Sequence, residues 1–129
     1  MAITAVQFVK FPVADLERSM DFYIGALGFR VLIDDMSPFG RYVVVAPRDS
    51  DTGIALVHFD VRPDGGRGHP GNIQILSDDV DADVECLRSI GVAVSGPTTT
   101  PWGHMAILAD PDGNAISVLQ RQASDSISS

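Results

Sequence analysis

The sequence predicts an α+β protein made of two tandem βαβββ modules, which form a cupped mixed sheet with the helices on its outer face. Three observations support this fold class. Short runs in which apolar and polar residues alternate recur along the chain and are typical of strands. Two segments place apolar residues at helical spacing between an aspartate and a glycine, the usual first and last signals of a helix. The same order of elements then occurs twice, as in a tandem repeat.

The first module is predicted to span residues 1–61. Its first strand is "ITAVQFVKFPV" at 3–13, and the stretch after it, opened by Asp15 and closed by Gly28, is predicted to be a helix. Three further runs rich in β-branched residues complete the βαβββ order: "FRVLIDDM" at 29–36, "RYVVVAP" at 41–47 and "GIALVHFDV" at 53–61.

The second module, residues 72–121, follows a predicted linker, "RPDGGRGHPG" at 62–71, that is dense in glycine and proline. Its helix is expected between Asp79 and Gly91, and Cys86 within it is expected to be buried. Residues 122–129 have little to bury and are predicted to form a disordered tail. The predicted strands of this module are 72–77, 92–96, 104–110 and 114–120.

Composition narrows the function classes. A chain of 129 residues fits one domain with a core of its own, and its single cysteine excludes an intramolecular disulfide. The formal net charge of −8, with nine scattered basic residues, argues against nucleic-acid binding, which needs a basic face. The chain starts without a secretory pattern, and no apolar run approaches the ~20 residues of a membrane helix. We therefore expect a cytoplasmic protein that binds neither nucleic acid nor membrane.

Two motifs carry a resemblance to a known family. "FPVADLERSMDFYIGALGFRV" and "PWGHMAILADPDGNAISVLQ" are similar to the opening and closing signatures of the vicinal oxygen chelate superfamily. That superfamily includes glyoxalase I, extradiol dioxygenases, fosfomycin-resistance enzymes and bleomycin-resistance proteins. The resemblance covers residues 3–121 and implies the glyoxalase/bleomycin resistance fold. It does not identify a reaction, because one fold supports many chemistries.

The metal positions of the family are the main departure of this chain. In metal-dependent members, four strand positions supply histidine or glutamate to a divalent cation. By resemblance these positions fall at Phe8, Asn72 and Ser117, with the fourth at Ala55. None of the four carries an imidazole or a carboxylate, which such a cation requires. We therefore predict no metal, no cofactor and no catalytic residue of the family type.

Strand alternation predicts what lines the cup instead. Phe8 and Lys10 share one face of the first strand, Asn72 and Gln74 one face of the fifth, and Ser117 points inward from the last. An apolar hollow with a few neutral hydrogen-bonding groups suits a small organic molecule. The acidic balance of the chain mildly favours a cationic ligand. The alternative is that these side chains simply pack the interior.

The "PWG" segment adds two candidate residues and a partner. It looks like the same segment in bleomycin-resistance proteins, where a drug is held between subunits without a metal. The resemblance thus implies a homodimer, with Trp102 offering a flat apolar surface to the ligand. His104 could hydrogen-bond the ligand or act as an acid or base. A tryptophan covering the core edge and a partly solvated histidine are the alternatives.

Three hypotheses for function follow. The first is a metal-free protein that binds a small organic molecule. The second is an enzyme of the lyase or dioxygenase type whose metal site is displaced and uses His58 or His104. The third is a protein with a packed cup, in which the dimer interface is what matters. The sequence leaves open whether the protein is an enzyme.

Overall fold

A computed structural model describes residues 1–38, 40–58 and 70–122. The chain divides into two compact units, Met1–Gly71 and Asn72–Ser129. The second unit begins at Asn72, where the second module is predicted to begin. Most of the predicted linker and nearly all of the predicted tail lie outside the described residues. Within the described ranges, no helix is long and apolar enough to span a bilayer.

The first unit forms a four-stranded mixed sheet with one helix. The strand order is β1-β4-β3-β2, in which β1 and β4 are parallel and the other neighbours are antiparallel. The helix continues from an α-helical stretch into a π-helical one. The elements are β1 (Phe8–Val13), α1 (Leu16–Met20, then π-helical over Asp21–Ala26), β2 (Arg30–Ser37), β3 (Gly40–Ala46) and β4 (Gly53–His58).

The second unit repeats this arrangement. Its strand order, β5-β8-β7-β6, is the order of the first unit shifted by four, and the parallel pair is again the first and last strand of the unit. The elements are β5 (Asn72–Leu76), α2 (Val80–Ser89), β6 (Val94–Thr100), β7 (Gly103–Ala109) and β8 (Ala115–Arg121). The predicted α+β class and the doubled βαβββ order are confirmed.

The signals that begin and end the helices are confirmed. The Asp15 carboxylate accepts a hydrogen bond from the backbone N–H of Arg18, and Asp79 accepts one from Ala82 at 3.0 Å. Gly28 and Gly91 follow the helices with φ of 71° and 91°, the left-handed conformation that ends a helix at low cost only for glycine.

The two largest differences between predicted and observed strand ends have the same physical reason: a strand extends only where a neighbour pairs with it. The first strand begins at Phe8 rather than at residue 3, because the register of β4 begins with Gly53 opposite Phe8. The sixth strand runs on to Thr100 rather than ending at 96, because Thr98–Thr100 pair with β7.

The core of each unit lies between its sheet and its own helix. Phe11, Val13 and Tyr23 are almost completely buried in the first unit. In the second unit Val80, Val84 and Leu87 are buried and form one stripe of α2. The prediction that Cys86 is buried is wrong: its thiol is exposed, because two residues beyond Val84 the helix has turned to its outer side.

One polar contact joins each helix to its sheet: Arg41–Glu17 in the first unit and His104–Asp81 in the second. In the first unit Arg41 of β3 lies 2.7 Å from Glu17 of α1 and 2.8 Å from Asp34 of β2. The Arg41 hydrogen bond lowers the pKa of Asp34 below its ordinary value, and Asp34 raises the pKa of Arg41. In the second unit His104 of β7 lies 3.0 Å from Asp81 of α2.

Candidate functional site

The face of each sheet that points away from its own helix is the predicted ligand-binding surface; we call it the far face. On the first far face, Phe8 lies beside Gly53, and Lys10 lies beside Ala55. The ring of Phe8 meets Tyr42 of β3 edge-on, with the ring centroids 6.0 Å apart. The small side chains of β4 at these positions leave room for the two rings to meet.

The first far face is largely filled by its own side chains. A Cβ at Gly53 would lie 2.6 Å from Val44 Cγ1 and 3.1 Å from Leu32 Cδ1, so these two side chains already cover the glycine. Ala55 and Val44 are 0% and 1% exposed. Phe8 is half-buried and Lys10 is exposed. Within the described ranges, the ammonium of Lys10 has no carboxylate within 4.0 Å.

Tyr42 is the residue that sequence reasoning missed on this face. Alternation along β3 places it with Val44, but only the pairing of β3 with β4 shows that this is the side on which Phe8 lies. The signal that could have identified Tyr42 is the register between "RYVVVA" and the neighbouring strand, because that register decides which face Tyr42 shares.

The second far face brings three predicted residues together. Gln74 lies opposite Ser117 in the parallel pair β5–β8, and Asn72 lies opposite Ala115 two positions earlier. The amides of Asn72 and Gln74 are exposed and the hydroxyl of Ser117 is half-buried. These groups donate and accept hydrogen bonds without carrying charge.

Apolar side chains surround this polar patch on the second far face. Leu76 and Leu119 are opposite each other, and Leu119 pairs in turn with Met105 of β7. Ile107 lies opposite Ser117. Leu76 is 55% exposed and Ile107 is 47% exposed, although both are large aliphatic side chains. The second far face is therefore an apolar surface with neutral hydrogen-bonding groups at one side.

Trp102 lies in the turn between β6 and β7, and it is 55% exposed. The next residue, Gly103, has φ of 149°, and a Cβ there would lie 2.4 Å from the carbonyl oxygen of Gln120. The glycine of "PWG" is thus required by the close approach of β7 to β8. The indole is presented at the surface.

His104 lies on the other side of the sheet. Strand alternation from Gly103 puts it on the helix side, where Nε2 is 3.0 Å from Asp81 Oδ1 and Nδ1 is 3.2 Å from Thr99 Oγ1. These contacts join β7 to α2 and β6 and lie on the side of the sheet opposite to Ser117. That His104 hydrogen-bonds a ligand or acts as an acid or base stays a prediction.

The four positions that correspond to the family's metal ligands do not fit a divalent cation. Phe8 is engaged with Tyr42, Ala55 is a buried methyl group, and Asn72 and Ser117 offer only neutral oxygens. His58, at the end of β4, pairs with Val13 and follows Leu56, so it lies on the helix side. Among the residues that the structure describes, no three histidine, cysteine, aspartate or glutamate side chains are grouped closely enough to hold a metal.

The "DPDGN" turn before β8 has a structural role. The Asp110 carboxylate accepts hydrogen bonds at 2.9 Å from the backbone N–H groups of Asp112 and Asn114, and at 2.8 Å from the Asn114 side chain. Asp110 and Asn114 are 5% and 0% exposed. This closed network fixes the start of β8 and thereby the position of Ser117.

Comparison with known proteins places this architecture in a family. A lactoylglutathione lyase of Neisseria meningitidis serogroup A is 30% identical over 122 residues, which cover 88% of each chain. The crystal structure of TnmS3, an antibiotic binding protein from Streptomyces sp. CB03234, has a TM-score of 0.84 and 42% identity over 95% of this chain and 99% of its own. A glyoxalase/bleomycin resistance protein from the same strain has a TM-score of 0.79 and 40% identity over 90% of this chain and 100% of its own.

The sequence pattern of one superfamily matches almost the whole chain, residues 5–118. The predicted resemblance is confirmed, since the match contains the opening motif, residues 11–31, and all but the last two residues of the closing motif, residues 101–120. The chain belongs to the Glyoxalase/Bleomycin resistance protein/Dioxygenase superfamily.

Proposed function

We propose that this protein binds a small organic molecule on the second far face and holds no metal at the family's positions. The observation that supports it most is the exposure of Leu76 and Ile107 beside the amides and hydroxyl of Gln74, Asn72 and Ser117. Large aliphatic side chains grouped at a surface are typical of a binding site.

The chemistry of this face favours a ligand with a flat apolar body and a polar edge. Covering Leu76, Met105 and Ile107 removes apolar surface from water, which contributes about 25 cal/mol per Å² of area buried. Gln74 and Ser117 can then hydrogen-bond the polar edge and fix its orientation. Trp102, exposed in the β6–β7 turn of the same unit, supplies a lone indole whose fluorescence can report binding.

The similarity to TnmS3 supports binding as the function class. That protein is described as antibiotic binding, and the two chains match over nearly their whole lengths. By this similarity, the ligand class we propose is an antibiotic-like small organic molecule.

A dye titration tests the proposal. We expect N-phenyl-1-naphthylamine, a neutral aromatic probe, to bind with an increase in its emission and a change in that of Trp102. Ile107→Ser removes apolar surface at the centre of the face and is expected to weaken binding about tenfold, which corresponds to about 1.4 kcal/mol.

The matched control is Ile90→Ser, which removes an aliphatic side chain of similar exposure, 55%, at the end of α2. It is expected to leave dye affinity unchanged. Equal losses in the two variants, or no binding to the unaltered protein, would contradict the proposal.

The second candidate function is a metal-dependent lyase, which the similarity to lactoylglutathione lyases favours. Reloading the chelated protein with Zn²⁺, Ni²⁺, Mn²⁺ or Fe²⁺ and measuring bound metal separates the two candidates. One tightly bound ion per chain would favour the lyase, whereas our proposal expects no stoichiometric uptake.

We also propose that the protein is a homodimer in the cytoplasm. The exposed aliphatic side chains Ile3 and Val6, 81% and 62% exposed, give a second copy apolar surface to cover. Sedimentation equilibrium tests the dimer: a mass of 13.8 kDa at all concentrations would contradict it.

A further inference from the structure

A cavity of about 330 Å³ opens where β5 ends, at the margin of the second far face. One of the residues that line it, Leu76, is also one of the exposed apolar residues of that face. A molecule lying on the second far face can therefore extend into the cavity past Leu76. The full lining is Leu76, Ser77, Asp78, Gln120 and Arg121.

Two of the polar side chains in this lining are already engaged. The Ser77 hydroxyl donates a hydrogen bond to the Asp83 carboxylate at the start of α2. The Gln120 side-chain oxygen accepts one from the backbone N–H of Val80 at 3.0 Å. The charged groups of Asp78 and Arg121 remain for a ligand.

Arg121 is positioned to reach the second far face. It follows Leu119 by two residues on β8 and pairs with Gly103, so alternation puts its side chain on the same side as Leu119 and Ser117. Within the described part of the chain, no carboxylate lies within 4.0 Å of its guanidinium. By contrast, Arg41 and Arg30 contact carboxylates, and Arg88 donates to the carbonyls of β6.

We propose that Arg121 binds an anionic group of the ligand, a sulfonate, carboxylate or phenolate, while the apolar body lies on the second far face. This proposal rests on the function proposed above and makes the ligand class more specific. A guanidinium binds a carboxylate or a sulfonate through two parallel N–H donors and a phenolate through its single oxygen, and such charge-assisted bonds are about twice as strong as neutral ones.

The net charge of −8 does not oppose this preference. Charges separated in solution by more than about 8 Å are largely screened at physiological ionic strength, so local groups decide what the cavity binds. The expectation of a cationic ligand rested on net charge alone and stays a prediction, whereas the local arrangement around Arg121 supports an anionic group.

Asp78 is the local opposing charge. Its carboxylate lines the same cavity, yet it forms no ion pair with Arg121 within 4.0 Å. It repels a bound anion and lowers its affinity. Removing this charge should therefore strengthen anion binding, whereas removing the charge of Arg121 should weaken it.

A matched pair of dyes tests the inference. 1-Anilinonaphthalene-8-sulfonate carries the ring system of N-phenyl-1-naphthylamine plus one sulfonate. We expect Arg121→Gln to weaken binding of the anionic dye about tenfold, while the neutral dye changes less than about twofold. Asp78→Asn should increase the affinity for the anionic dye about threefold and leave the affinity for the neutral dye unchanged.

The control is Arg48→Gln, which changes the net charge equally at an exposed arginine of the first unit, 81% exposed and 3.3 Å from Asp49. It should leave both affinities unchanged. Suppose that the neutral dye binds and that Ile107→Ser weakens its binding as expected. If Arg121→Gln then leaves the affinity for the anionic dye unchanged, or changes it no more than Arg48→Gln does, this inference is wrong and the proposed function stands. If neither dye binds the unaltered protein, both are wrong.

Discussion

The two units share a strand order and a helix position but differ in what their far faces present. In the first unit, large side chains fill the face beside the small residues Gly53 and Ala55 of β4. These side chains are Phe8, Tyr42 and Val44. In the second, Leu76 and Ile107 stand exposed beside neutral hydrogen-bonding groups. The backbone repeat thus supplies the same platform twice, and side chains alone decide which platform can bind a ligand.

This difference is not visible in the helix faces, where the units agree. Each has a capped helix over a buried apolar layer, and each has a polar contact from the third strand of its unit to the helix. Buried faces must exclude water in both units, which restricts their residues to the same types. The far faces need not exclude water in both units, so we expect their residues to differ and differences in function to arise there.

The largest expected loss of stability comes from substituting Gly103, which follows the turn between β6 and β7 in the second unit. Gly103→Ala places a methyl group 2.4 Å from the Gln120 carbonyl oxygen at a φ of 149°, and should cost about 3 kcal/mol or more of the free energy of unfolding. Gly113→Ala is the control, because its Cβ meets nothing within 4 Å, and should cost about 1 kcal/mol. Urea denaturation measures both, and equal values would show that β7 and β8 are not in close contact at this turn.

The next largest loss of stability should distinguish the packed first far face from the exposed second one. Phe8→Ala removes a half-buried ring that contacts Tyr42, and should lower the free energy of unfolding by about 2 kcal/mol. Ile107→Ser, at the exposed centre of the second far face, should change it by about 0.5 kcal/mol or less. Thermal and urea unfolding of the two variants measure both changes in the free energy of unfolding. A larger loss for Ile107→Ser would mean that the second far face is also built for packing.

Much of the fold and part of the site were predictable from sequence. Helix caps at Asp15 and Asp79 and the glycine stops are local signals, and they hold because they depend on a few neighbouring residues. Alternation predicted the faces on which Gln74 and Ser117 lie, whereas their pairing across β5 and β8 came only from the structure. Tyr42 and His104 required knowledge of which strand lies beside which, and that information is not local.

A pH-dependent change of stability, intermediate in size, concerns the contact between Asp34 of β2 and Arg41 of β3. Arg41 holds the pKa of Asp34 below its ordinary value, so Asp34 contributes stability above that value and loses it as the pH falls through the lowered pKa. Arg41→Met should therefore lower the thermal midpoint at neutral pH and have a shrinking effect below pH 4. Scans at several pH values with Arg48→Met as the exposed control test this, and a constant difference across the acid range would contradict it.

The smallest expected effect tests the side of the sheet on which His104 lies. Its contact with Asp81 joins α2 to β7, but the Asp81 side chain is 73% exposed, and exposed ion pairs contribute little. His104→Gln should therefore change the free energy of unfolding by about 0.5 kcal/mol or less and leave the affinity for both dyes as it is. Ser117→Ala, which alters a hydroxyl on the second far face, is the matched comparison and should change dye affinity without changing stability. If His104→Gln weakened dye binding as much as Ser117→Ala, the histidine would have to reach the ligand, and the separation of the two sides of this sheet would be wrong.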